Sequence, residues 1–221
     1  MTKAIEFRLM EVNSVADIVQ QVGNVYSDLA RQYGCDPKAG GYHDRPGRDV
    51  RYGKLAEIFE LDRPAGMFTV AELGCGYGAF FDYLNELLPG RISHYYGYDV
   101  SDEMLALGRV HLNNRPATLM RTSNIAEPAD YNFISGIFNV RLSASEAEWQ
   151  TYIENTLRHS FKMARRGLAF YAFTNAVDYR NEKFHYSDPI ALAEFCRRNL
   201  SPLVHVAQGY GCYEFTMIVL R

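Results

Sequence analysis

Gly74, Gly76 and Gly78 place three glycines in five residues, directly after the apolar run MFTVAEL and before a helical pattern. Without Cβ atoms such a turn lets the main chain pass close to a ligand, with its N–H groups available at the helix start. Glu72 stands two residues ahead of the first glycine, and Asp99 follows the tyrosine-rich run SHYYGY. An acid at the end of a second strand can accept hydrogen bonds from both hydroxyls of a bound ribose. Gly74, Gly76 and Ala79 also satisfy G-x-G-x-x-G/A, so a dinucleotide is one reading of the turn. Glu72 argues against it, because a carboxylate there would repel a pyrophosphate and would favour an ammonium.

Chemistry on a hydroxyl also benefits from a general base. His94 opens a strand, and His111 and His159 lie on helices. That leaves His43, in the loop YGCDPKAGGYHDRPGR, and His185, in TNAVDYRNEKFHYSDP, as candidate bases. Arg51 is a candidate partner for a ligand carboxylate. Tyr26, Tyr33, Tyr179 and Tyr186 are candidate walls of an acceptor pocket, in a chain with 16 tyrosines and 13 phenylalanines to supply such rings. Tyr179 and Lys183 have the Y-x-x-x-K spacing of short-chain dehydrogenases. However, Asn181 and Asp188-Pro189 interrupt any long helix there, and the accompanying T-G-x-x-x-G-x-G is absent. The cysteines at 35, 75, 196 and 212 make no C-x-x-C pair and the six histidines no H-x-x-x-H, so no metal is expected and the thiols are expected reduced.

The elements that must position these residues read as an alternating series. Val15, Ile18, Val19, Val22, Val25, Tyr26, Leu29 and Tyr33 recur at helical spacing behind Asn13 and Ser14 as candidate caps. A loop dense in Gly and Pro follows, then a short helix from about Asp49 to Phe59. MFTVAEL is a strand, and the glycine turn opens a helix to about Leu88. SHYYGYDV is a second strand and SDEMLALGRVHLN a helix capped by Ser101. ATLMR and DYNFISGIFNV are strands, and a helix after them opens with a capping box around Ser143 or Ser145. RGLAFYAF is a fifth strand, apolar enough to be buried on both faces. DPIALAEFCRRN is a helix, and two last strands around Gly209–Gly211 must pair antiparallel. Five strand–helix alternations call for a parallel sheet covered on both faces.

With 221 residues, 48% hydrophobic and 22% charged, the chain is neither disordered nor fibrous. Lys+Arg 23 against Asp+Glu 26 gives a net charge of -3, which disfavours nucleic acid as a partner. The N-terminus MTKAIEFRLMEVNSV has no apolar core of a signal peptide, and the longest apolar run, Leu168–Phe173, is too short for a membrane span, so a cytoplasmic location is expected.

VAELGCGYG, followed by YYGYDVSDEML, DYNFISGIFNV and RGLAFYAF, resembles the class I S-adenosylmethionine-dependent methyltransferases from about Tyr33 to the end. The resemblance implies an α/β fold: a doubly wound, seven-stranded, mostly parallel sheet with an antiparallel last strand, helices on both faces, and an N-terminal helical extension or lid. The expected division is 1–60 for that extension and 61–221 for the methyltransferase domain. The resemblance implies S-adenosylmethionine as cofactor and S-adenosylhomocysteine as product. Glu72, Gly74, Cys75, Gly76, Tyr77 and Gly78 would form its cradle, with Asp99, Val100 and Met104 on the ribose side and Asn124 and Ile125 near the adenine. Ser135 and Gly136 would border the cofactor, while Phe138 and Asn139 would face the methyl-transfer site. The Asn/Asp-Pro-Pro-Tyr/Phe motif of nucleobase and glutamine N-methyltransferases is absent at Ser135–Asn139. The pattern is also similar to small bacterial methyltransferases of surface-polysaccharide and secondary-metabolite pathways. It implies methyl transfer to an O or N nucleophile of a small molecule such as a sugar, sugar nucleotide or secondary metabolite, by a monomer or homodimer. The alternatives are a non-catalytic methyltransferase-like subunit and an NAD-dependent oxidoreductase.

Overall fold

The computed structural model describes residues 14–221. Ser14 caps the first helix, α1 (Val15–Tyr33), its hydroxyl accepting from Asp17 N; Asn13 lies outside the described residues. Capping by Ser14 meets one of the amides that every helix start leaves without a partner. A 3-10 turn at Pro37–Gly40 breaks the following loop. The next helix, α2, runs Arg45–Asp62 rather than from Asp49. Asp44 is the reason: its carboxylate accepts from Gly47 N at 2.8 Å, and Pro46 sits in the first turn, where a missing N–H costs nothing.

Seven strands follow: β1 (Phe68–Leu73), β2 (Ile92–Asp99), β3 (Ala117–Arg121), β4 (Ala129–Ile134), β5 (Ala164–Phe173), β6 (Val204–Gln208) and β7 (Glu214–Leu220). They form one sheet in the order β3-β2-β1-β4-β5-β7-β6. Every pair among β1 to β5 is parallel, and β7 runs antiparallel to both β5 and β6, as expected. Helices α3 (Ala79–Leu87), α4 (Asp102–His111), α5 (Glu146–Met163) and α6 (Pro189–Asn199) complete the chain. The predicted caps form: Ser101 on α4, and Ser145 with Glu148 as a reciprocal box on α5.

The central strands are apolar on both faces, and the period of two sends alternate residues into two cores. Phe68 and Val70 of β1, with Ile218 and Leu220 of β7, pack with α2 and α3; Ala71 and Leu73, with Met217 and Val219, pack with α5 and α6. Leu55 and Ile58 of α2 are fully buried in the first core, so α2 is built into the sheet's cover. In contrast, α1 packs on α4 and the 3-10 turn, with Ile18 reaching the second core. Among the described residues no helix is long and apolar enough to cross a membrane, and no group of His, Cys, Asp and Glu could hold a metal ion.

Candidate active site

The glycine turn lies at the carboxyl end of β1. Gly74 N and Cys75 N donate to the Tyr98 carbonyl of β2 at 2.8 and 3.0 Å, which folds the turn back over the sheet edge. Gly74 adopts φ +81°, and a Cβ there would lie 2.6 Å from Ile137 Cγ2 and 2.7 Å from the Ser135 carbonyl oxygen. Only glycine lets β1 and the chain leaving β4 approach so closely. Asp99 fixes the next step: its carboxylate accepts from Gly76 N and from Ser101 N, each at 2.9 Å. Two backbone bonds leave lone pairs on both carboxylate oxygens for a ligand. Burial raises the Asp99 pKa against the pull of those bonds.

A cavity of about 430 Å³ opens over this edge, within the ordinary size of a small-ligand site. Gly74, Cys75, Gly76 and Tyr77 line it, as do Asp99, Val100 and Met104 and, beyond them, Ser135, Gly136 and Asn139. From above, Val19, Val22 and Tyr26 of α1 and the Gly40–His43 segment close over it. Burial, and then the Asp99 charge, push the Tyr26 phenol up to about 12, so it is neutral beside that carboxylate.

Other expected residues stand elsewhere. Glu72 is buried behind the turn, where Ser135 Oγ donates to it at 2.5 Å and the Tyr95 hydroxyl donates to its other oxygen. It therefore reaches the cavity only through Ser135. Burial, with a smaller push from the Asp99 charge, raises its pKa to about 7 against those two bonds. Gly78 makes room for Leu112 instead of a ligand, with a Cβ there 2.6 Å from Leu112 Cδ1. Asn124 and Ile125 line a separate groove between α1 and α5, whose neighbours Thr122 and Ser123 border both spaces. Phe138 is fully buried, edge-on to Phe170. Tyr33 packs under Lys38 at the surface, Tyr179 is 78% exposed, and Tyr186 stacks on Phe173 outside the cavity wall.

The candidate bases separate in the same way. His43 is on the cavity rim, its side chain 81% exposed and its Nδ1 3.0 Å from Asp44 Oδ2. His185 is buried away from the wall; its Nδ1 lies 2.8 Å from Glu146 Oε2, and burial lowers its pKa. Arg51 does line the cavity, but its Nε donates to Glu214 Oε2 at 2.6 Å and an Nη donates to the Gly47 carbonyl.

Sequence reasoning missed the far half of the cavity, which Tyr42, Tyr52, Tyr171, Phe173, Phe184 and Glu214 help to line. The Tyr42 and Tyr171 hydroxyls are 2.8 Å apart, and burial raises both phenols well above their ordinary range. Tyr171 is hidden in the sequence inside a strand that reads as pure core. Glu214 carries the one available signal, an acid opening the mostly apolar run EFTMIVL.

Comparison with known proteins places this geometry. A family model described as a methyltransferase domain matches residues 71–172, from β1 through β5. The Mycobacterium tuberculosis (strain ATCC 25618 / H37Rv) protein Rv1506c, whose assigned name is that of a methyltransferase, is 39% identical over 160 residues, covering 71% of this chain and 95% of that one. Magnesium protoporphyrin IX methyltransferase (ChlM) from Synechocystis PCC 6803, solved with bound S-adenosylhomocysteine, superposes with a TM-score of 0.62 at 15% identity, covering 93% of this chain and 99% of that one. The DhpI complex with S-adenosylhomocysteine gives 0.60 at 14% identity, over 96% and 98%. At those identities the two solved structures speak for the fold, which is that of Rossmann-like methyltransferases. The strand order, the glycine turn and the mycobacterial relative agree: the chain belongs to the class I S-adenosylmethionine-dependent methyltransferase family.

Proposed function

We propose that the cavity binds S-adenosylmethionine across the Gly74–Tyr77 turn and passes its methyl group to an O or N nucleophile of a small molecule seated in the aromatic half. The observation that carries this reading is that one cavity runs from Asp99 and the glycine turn, past Gly136, to Tyr171 and Glu214. The residues present suit the donor. A Cβ at Gly74 would strike Ser135 and Ile137, and one at Gly136 would lie 2.8 Å from the Tyr171 hydroxyl, so these glycines let the strand-end segments pack closely and leave main chain lining the cavity. Asp99 retains acceptor capacity toward the ribose, Val100 and Met104 give an apolar edge, and Ser135 presents an oxygen tied to Glu72. When bound, the sulfonium supplies an electrophilic methyl, and alignment of the attacking atom supplies most of the acceleration.

Helix α1 and residues 34–44 form the cover, the part of the N-terminal extension proposed as a lid. Shielding the donor from water is its function. A cover that closes over the cavity favours a small acceptor over a polymer. Calorimetric titration tests the reading: S-adenosylmethionine and S-adenosylhomocysteine bind and NAD does not, whereas binding of NAD with neither sulfur nucleotide would overturn it.

A further inference from the structure

The acceptor half of the cavity holds one unusual group. Glu214 is 2% exposed, opens β7 beside Phe173 of β5, and lines the cavity. Arg51 holds its Oε2; its Oε1 has no hydrogen-bond partner among the described residues. That oxygen is not sealed in the protein but open to the cavity, where its lone pairs can accept from a donor on a ligand. The Tyr42–Tyr171 pair stands close enough that the Glu214 charge raises both phenols, and a hydroxyl pair uses one hydrogen between its members and leaves the other to offer.

Resting on the methyl-transfer reading, we infer that Glu214 Oε1 is the proton acceptor for an uncharged, ring-bearing acceptor whose reacting group is a hydroxyl, oriented by Tyr42 and Tyr171. The charge count selects the class. Arg51 already neutralises Glu214, and Arg48 in the same wall is paired with Asp49 at 2.8 Å. Neither an ammonium nor a phosphate would find an unmatched partner there, which sets a sugar nucleotide apart from a neutral phenol or sugar ring. In the step, the acceptor oxygen forms a bond to the methyl carbon as the carbon–sulfur bond breaks with its electron pair going to sulfur, and the hydroxyl proton passes to Glu214. Burial raises the Glu214 pKa with Arg51 opposing, which makes it a better proton acceptor than an exposed carboxylate. Neither histidine offers this: His43 faces solvent and His185 is off the wall.

The test is equilibrium binding of 4-nitrophenol, below its own ionisation pH, to the full chain with and without saturating S-adenosylhomocysteine. Wild type binds it, Glu214→Gln weakens it roughly fivefold or more because a charge-assisted bond is lost, and 4-nitrobenzylamine and 4-nitrobenzoate bind more weakly than the phenol. S-adenosylhomocysteine affinity of the variant stays at the wild-type value, which reports that the fold and donor site are intact. Should the glutamine variant fail that control, Tyr171→Phe, which leaves the Arg51–Glu214 pair in place, shows the weakened phenol binding instead. No phenol binding by wild type, equal phenol affinity in wild type and Glu214→Gln, or tighter binding of the amine overturns the assignment. Loss of S-adenosylhomocysteine binding by wild type with phenol binding retained would overturn the methyl-transfer reading and leave the hydroxyl site standing.

Discussion

Gly76 N donates to Asp99 Oδ2 at 2.9 Å, so the carboxylate proposed to meet a ribose also holds the turn in front of it. Asp99 adds a bond from Ser101 N, the residue that caps α4. One side chain therefore ties together the end of β2, the glycine turn and the start of α4.

Asp99→Ala removes those bonds along with any ribose bond. S-adenosylhomocysteine affinity should fall by about 1.5–3 kcal/mol, roughly ten- to a hundredfold. Isothermal titration measures it. Unchanged affinity would place the ribose elsewhere.

Gly74→Ala should destabilise the fold far more than Gly90→Ala. Both glycines have positive φ, +81° and +70°, so both changes carry the roughly 1–2 kcal/mol cost of a left-handed residue. At Gly90 nothing lies within 4 Å of the new Cβ, but at Gly74 it meets Ile137 and Ser135. Denaturant unfolding should show an additional loss of about 1–3 kcal/mol at Gly74. Equal losses would mean that the chain after β4 yields without cost.

Glu72 should leave a mark on the pH dependence of stability. Its folded pKa, about 7, is raised above the unfolded value, so its favourable contribution is complete below pH 4.5 and is lost as pH rises toward 7. The loss is at most about 3 kcal/mol. Glu72→Gln keeps an acceptor between Tyr95 and Ser135 but does not ionise. Its stability should therefore fall less than wild type between about pH 5 and pH 8 in urea titrations. Parallel curves for the two proteins would mean that Glu72 titrates normally.

The cover predicts a pattern of amide exchange. On adding S-adenosylhomocysteine, residues 24–50 should slow together with the Gly74–Gly78 turn. If only the turn slows, α1 is scaffold.

The placement of the glycine turn, of Asp99 at a strand end and of Ser101 as a helix cap was legible in the sequence because its signals are local, each within a few residues. Glu72 shows where such reading stops: alternation along β1 sends it behind the turn, with Phe68 and Val70, instead of into the cavity. The acceptor side depends on contacts between distant segments. Tyr42 meets Tyr171 and Arg51 meets Glu214 only because β7 inserts beside β5 and α2 packs against both strands. The sequence suggests that β7 is antiparallel to its hairpin partner, but not that its first residue faces a cavity beside an arginine 163 residues earlier. Phe173 and Phe184 line the cavity while Tyr179 and Tyr186 stand off it, a difference that loop residues, with no periodicity to fix their direction, do not show in sequence.

The most direct test is a crystal structure of the chain with S-adenosylhomocysteine. The ribose hydroxyls should lie within hydrogen-bond distance of Asp99, the main chain of Gly74–Gly76 should run alongside the ligand, and the sulfur should face Gly136 and the Tyr42–Tyr171 pair. Density for the nucleotide in the groove of Asn124 and His159, or anywhere that leaves Asp99 without a ligand contact, would contradict it.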